Sequence, residues 1–223
     1  MWQALFESLA DQSFVVIAVA LDQPEAARAW IEASSPTYPC LIDRDHHVAD
    51  LFNLVNVPQA VWIDESGRIV RPPETAGSGN GLRCMDRATG ALPEAVMAER
   101  KRIKSVYMDA VRDWARHGAG SQHVLDAPTA ASRLPQASAQ IAQAHAHFRL
   151  GQHLQRQGQA QAARQAFDEA VRLHPESWSI WRQAAPKDAR GLAAGPDFWA
   201  RVDALGERDY YAPIEMAGIR PAS

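Results

Sequence analysis

Val57-Pro58-Gln59-Ala60-Val61-Trp62-Ile63-Asp64-Glu65-Ser66-Gly67-Arg68-Ile69-Val70 is the stretch on which the fold turns. Ala60 to Ile63 is a short apolar run, Asp64 to Gly67 is rich in turn formers, and Arg68 to Val70 returns as a second strand, a hairpin signal. Pro58 cannot donate to a sheet ladder, so by pattern alone it starts an edge strand or holds a special turn.

Working outward toward the N-terminus, Phe14 to Leu21 is a continuous apolar run, the pattern of a parallel strand buried on both faces. Trp2, Leu5, Phe6 and Leu9 share one helix face before it. Asp22 is expected to cap the next helix, with Pro24 in its first turn and Ala26, Ala27, Trp30 and Ile31 on its apolar side. A strand is predicted over Tyr38 to Ile42, and then a helix from Asp43 or Asp45 through Leu54.

This order, with Tyr38-Pro39-Cys40-Leu41-Ile42-Asp43, Val48-Ala49-Asp50-Leu51-Phe52, Val57-Pro58 and Gly67-Arg68-Ile69-Val70, resembles the second half of a TlpA/ResA-type or AhpC/TSA redoxin domain, a thioredoxin-like fold. The resemblance runs from Met1 to about Pro73. It implies that Val57-Pro58 is the family's cis-proline loop, which faces the catalytic cysteines and helps hold an extended substrate segment. It also implies thiol-disulfide oxidoreductase or peroxidase-type chemistry and a thiol reductant.

The family's Trp-Cys-x-x-Cys, which sits at a helix N-terminus where the first thiol is acidified, has no counterpart in the sequence. In the family, the strand before that motif lies between the strands represented here by Val15 to Leu21 and by Ala60 to Ile63. The expected fold is therefore an incomplete α/β thioredoxin-like domain lacking the first strand and the motif, with either two strands left facing a gap or a direct pairing between them. An upstream segment lost through a displaced start is one reading. A selenocysteine codon read as a stop is a second, and true loss of the site is a third.

The two cysteines are too few for a disulfide framework. Cys40, on an apolar strand, reads as a small core residue. Cys84, after Gly77-Ser78-Gly79-Asn80-Gly81, reads as accessible. Both are accessory thiol candidates, and sequence leaves a bridge between them untested. The glycine-rich stretch lacks a following Gly-Lys-Ser/Thr and reads as a flexible loop.

Residues 74–92 read as a linker after a 1–73 domain, and 93–223 as helical. A helix is expected from Pro93 to near His117, with Val96, Ile103, Tyr107, Ala110, Val111 and Trp114 buried and Arg100-Lys101-Arg102 solvated. At 144–177 the pattern resembles one tetratricopeptide repeat: Leu150 and Gly151 in a first helix, Ala163, Phe167 and Ala170 in a second, and Pro175 at the end. A second unit starts at Ser177 to Arg182 and decays. One repeat cannot bury its own face, so the Leu92–His117 helix and the Phe198-Trp199-Val202-Leu205 helix are its expected partners.

The net charge of -3 gives no argument for a nucleic-acid or membrane surface. No apolar run approaches the roughly 18 residues of a membrane span. The spacing of His145, His147 and His153 does not suit a metal site, and His46-His47 read as surface residues. No metal or cofactor is expected. The compartment is cytoplasmic by default, extracytoplasmic if the true N-terminus lies elsewhere. Two functions emerge: a redoxin-family member that is inactive as given, or a non-catalytic scaffold using its helical repeat to bind a protein or peptide.

Overall fold

A computed structural model describes residues 1–134, 138–189 and 191–219. The N-terminal region runs α1 (Trp2–Glu7), β1 (Ala18–Ala20), α2 (Pro24–Ser34), β2 (Cys40–Ile42), α3 (His47–Leu51), β3 (Gln59–Ile63) and β4 (Ile69–Thr75). β1 and β2 are parallel, with Ala18 opposite Cys40 and Ala20 opposite Ile42. β3 and β4 are antiparallel, with Gln59 opposite Thr75 and Ile63 opposite Ile69. Among the described residues β1 and β3 do not pair, so the strands form two separate two-stranded sheets.

The hairpin turn closes on Asp64, whose Oδ1 accepts from the Ser66 and Arg68 backbone N–H groups. Hydrogen bonds from Ser66 and Arg68 hold its carboxyl at about 2. Gly67 takes the left-handed position (φ 81°) that a side chain would resist.

The apolar run from Phe14 forms a strand only over Ala18–Ala20, and Val15 and Ile17 are 54% and 55% exposed instead of buried on two faces. Among the described residues β1 has one neighbouring strand, so no second ladder covers them. Trp30 is likewise exposed, because α2 buries Ala27 alone. Gln23, not Asp22, stands at the cap of α2, and the Asp22 carboxylate accepts from the Gln23 backbone N–H. α3 ends at Leu51 instead of Leu54, just before Asn53 adopts a left-handed conformation (φ 46°). β4 continues through Pro72 and Pro73 to Thr75; the ladder is irregular on the partner side between Ala60 and Ile63, which lets two prolines sit in the strand.

α4 (Glu94–His117) does not stack on the repeat. Its Tyr107, Met108, Ala110 and Val111 join Leu5, Leu9, Trp62, Ile214 and Met216 in one buried cluster on the hairpin. Trp62 stacks on Trp114 with centroids 4.9 Å apart, and its indole N–H donates to the Tyr107 hydroxyl at 2.9 Å. Arg71 is fully buried, paired with Glu74 at 2.8 Å and donating to the carbonyls of His123 and Glu215 at 2.7 and 3.0 Å. That one side chain joins β4 to residues 121–125 and to the C-terminal segment. The glycine stretch is also packed rather than free: a Cβ on Gly79 would fall 2.9 Å from Ile103 Cδ1, and one on Gly81 2.4 Å from Val96 Cγ1.

Beyond α5 (Ala127–Arg133) the helical half is α6 (Ala139–Arg156), α7 (Ala160–Leu173), α8 (Trp178–Ala184) and α9 (Pro196–Asp203). Ser138 and Ser177 cap α6 and α8 through the Ile141 and Ile180 backbone N–H groups. α6 and α7 pack through Gly151, where a Cβ would lie 2.6 Å from the Phe167 ring, and through Phe148 and Phe167 at 5.7 Å between centroids. Ile180 of α8 completes that cluster, while α9 packs on Trp178 through Phe198 and Val202.

The hairpin of α6 and α7 also docks on the α/β half. Arg149 pairs with Asp50, Arg156 with Asp45 at 2.9 Å, and the His46 ring meets Phe148 at 4.9 Å. His46 is thus buried, correcting its reading as a surface residue, while its neighbour His47 is exposed. The α6–α7 hairpin takes its lid from α8, which follows it in sequence, and from α3, which only the tertiary arrangement brings to it.

Candidate functional site

The Val57–Pro58 peptide bond is cis, and both residues are exposed at the tip of the loop before β3. Everything beneath that tip is braced. Asn56 is buried; its side-chain amide donates to the Tyr210 carbonyl at 3.1 Å, and its Oδ1 accepts from the Val57 N–H at 2.9 Å and from Arg182 at 2.8 Å. The Val55 carbonyl accepts from the Ser179 N–H at 3.0 Å. The Tyr211 hydroxyl donates to the Val57 carbonyl at 2.9 Å.

Arg182 bonds the Tyr210 hydroxyl and lies over the Trp178 and Tyr210 rings. Burial lowers its pKa, and burial also raises that of Tyr211. The loop is therefore rigid on the protein side, with two of its backbone carbonyls engaged from outside the N-terminal region.

Neither cysteine reaches this arrangement through a described contact. Cys40 is half-buried on β2, short of the full burial expected, with Sγ 3.7 Å from the Tyr38 carbonyl. Cys84 is exposed at the end of the 3-10 turn Gly81–Cys84. Both are free thiols.

The histidines group differently from their sequence spacing. His145 faces His174, with centroids 6.1 Å apart, while His147 is half-buried and His153 exposed. His174 Nε2 lies 3.1 Å from Asn53 Oδ1, and His145 Nδ1 lies 3.6 Å from Asp50. Desolvation lowers the pKa values of both, and brings that of His46 to about 4 against the pull of Asp43 and Asp22. They form a neutral interface between α3 and the α6–α7 hairpin. Among the described residues no group of three or more histidine, cysteine, aspartate or glutamate side chains could hold a metal ion.

Residues 1–71 match the AhpC/TSA family. Residues 144–177 match the tetratricopeptide repeat. No curated protein and no solved structure matches the chain. The AhpC/TSA match ends at Arg71, within β4, so the whole Val57–Asp64 segment falls inside it. The repeat match covers most of α6, all of α7 and the Pro175 stop. Among the described residues no helix is long and apolar enough to cross a membrane.

No sequence pattern singles out the bracing residues Asn56, Ser179, Arg182, Tyr210 and Tyr211 for this role. Asn56 is 126 residues from Arg182 and 154 from Tyr210, and no local pattern signals contacts at such separations. The packed glycines left a usable signal: Gly77, Gly79 and Gly81 recur at every second position, as they would where backbone passes close to another surface.

Proposed function

We propose that this chain carries the substrate-positioning half of a redoxin of the TlpA/ResA type. Val57 and Pro58 hold an extended peptide segment, and the attacking thiol or selenol is supplied from outside these residues. The observation that carries the reading is the exposed cis Val57–Pro58 tip on a braced base, inside the segment that matches the AhpC/TSA family. An exposed, preorganised backbone can pair with an extended segment without reorganising first.

A second feature supports it. β1 and β3 each lack a neighbour on one side among the described residues, and Val15, Ile17 and Ile63 expose apolar side chains along or beside them. A strand added between β1 and β3 would supply both ladders and cover those side chains. The sequence holds no Cys-x-x-Cys, so thiol-disulfide exchange by this chain alone is expected to be absent.

The test has two arms. The chain as given is assayed for reduction of insulin by a dithiol reductant, and no turnover above background is expected. The coding sequence preceding Met1 is then read in frame for a strand followed by Trp-x-x-Cys or its selenocysteine equivalent, and the extended protein is assayed. Turnover by the chain alone that disappears in Cys84→Ser or Cys40→Ser would overturn the reading, as would an upstream region without such a motif.

The second reading is a non-catalytic protein whose helical repeat binds a partner. It is favoured by the repeat match at 144–177 and by Leu150, which is exposed on α6. An inactive extended protein would leave this as the better account.

A further inference from the structure

A cleft of about 730 Å³ lies between the β3–β4 hairpin, the start of α8, the end of α9 and residues 209–215. Val57 and Pro58 do not line it, but Val55, Asn56, Gln59 and the bracing Tyr210 and Tyr211 do, so it lies beside the base of the cis-proline loop and not at its tip. Its size falls within the roughly 300–1,000 Å³ of small-molecule sites. Trp178, Tyr210, Tyr211, Pro73 and Pro213 give it broad apolar walls.

The charge in this cleft is unbalanced in one place. The Arg201 guanidinium is held over two indoles, 4.9 Å from the Trp178 ring centre and 5.4 Å from that of Trp181. Its hydrogen bond goes to the Pro175 carbonyl, and its Nε is buried with no partner. Among the described residues it makes no ion pair. Arg208 stands near enough to disfavour its charge further, adding to the effect of burial.

The cleft carboxylates do not answer that charge. Glu74 is taken by Arg71, Glu215 by Arg133 at 2.7 Å, and Asp209 bonds Asn80. Glu176 is exposed on the lining. A guanidinium fixed by stacking, partly desolvated and with no carboxylate paired to it among the described residues is a costly arrangement for the protein alone. It becomes favourable when an anion completes it, and the planar fork suits a carboxylate.

We infer that this cleft binds a small organic carboxylate with a flat apolar body, its anion on Arg201 and its ring against Trp178 and the tyrosines. The assignment does not depend on the redoxin reading. Arg208 adds attraction from the rim, and Arg201 fixes orientation.

Phenylacetate is the probe, followed through the indole N–H resonances of the protein labelled with nitrogen-15. Expected is a saturable shift confined to Trp178 and Trp181, absent with the neutral isostere phenylacetamide. Phenyl phosphate tests whether the site reads a carboxylate in particular or any anion; tighter binding of the phosphate would overturn the carboxylate assignment. Arg201→Gln should weaken phenylacetate at least about tenfold, the scale of one charge-assisted contact. Arg201→Lys should retain part of the affinity.

Should Arg201→Gln fail to fold by circular dichroism, Arg208→Gln decides, with a several-fold loss expected and unchanged binding overturning the proposal. Equal binding of phenylacetamide, an unchanged response in folded Arg201→Gln, or no saturable shift up to the solubility limit would each also overturn it.

Discussion

The α6–α7 hairpin and the N-terminal α/β region bury their apolar residues by different means. In the hairpin, contacts join neighbours in sequence: Gly151 meets Phe167, and Phe148, Ala163 and Ala170 fill the same seam. In the α/β region the strands are short, both outer edges of each two-stranded sheet lack a strand partner among the described residues, and the core is completed by α4 and by Ile214 and Met216. Where a packing seam is local, residue spacing nearly determines it. Where a seam is assembled from distant segments, spacing supplies the strands but not what covers them.

The comparison can be broken most severely at Arg71. Arg71→Ala strips a fully buried cation from Glu74 and from two carbonyls, and should cost about 3–5 kcal/mol in denaturant unfolding. Phe167→Ala in the hairpin should cost a similar 3–5 kcal/mol through cavity formation. If the interface between α3 and the hairpin couples the halves, each variant lowers one shared transition. Two separated transitions in either variant would show that the hairpin unfolds by itself.

Acid sharpens the comparison at that interface. The pKa of His46 in the fold, about 4, lies below the ordinary histidine value of about 6.5. The unfolded chain therefore binds the proton more readily. Its stabilising contribution, on the order of 3 kcal/mol, is fully present above about pH 6.5 and lost as pH falls through about 4. His145 and His174 are shifted in the same direction by desolvation. Unfolding free energy measured from pH 7 to pH 4 should fall accordingly, and His46→Phe should flatten that fall. An unchanged slope in His46→Phe would remove His46 as its cause.

The smallest effect is expected at the Gly151–Phe167 contact of the hairpin. Gly151→Ala should cost about 1–3 kcal/mol, because the gain in helix propensity is outweighed by pushing a methyl into the buried Phe167 ring. A stabilised variant would mean that the ring can retreat.

Much of the candidate site was legible as composition and little of it as surroundings. Val57-Pro58 and the hairpin were identified from a run of 14 residues, Val57 through Val70, because strand and turn preferences are local. From sequence His46 reads as a surface residue because a histidine at a helix start is usually solvated, and the Phe148 that covers it is about a hundred residues away. Trp30 falls on the apolar side of its helix yet is exposed, because amphipathic periodicity says which side is apolar, not whether anything packs on it.

The sequence by itself determined the hairpin at Asp64–Gly67, the α6–α7 pair with its Gly151–Phe167 seam, and the absence of a Cys-x-x-Cys, since these depend on residues close in the chain. Only the tertiary structure decided that α4 covers the β3–β4 hairpin, that Tyr210, Tyr211 and Arg182 brace the cis-proline loop, and that Arg201 lines a cleft in which, among the described residues, no carboxylate pairs with it. The physical reason is that burial and charge pairing across more than a hundred residues depend on which surfaces meet, and local preferences constrain that only weakly.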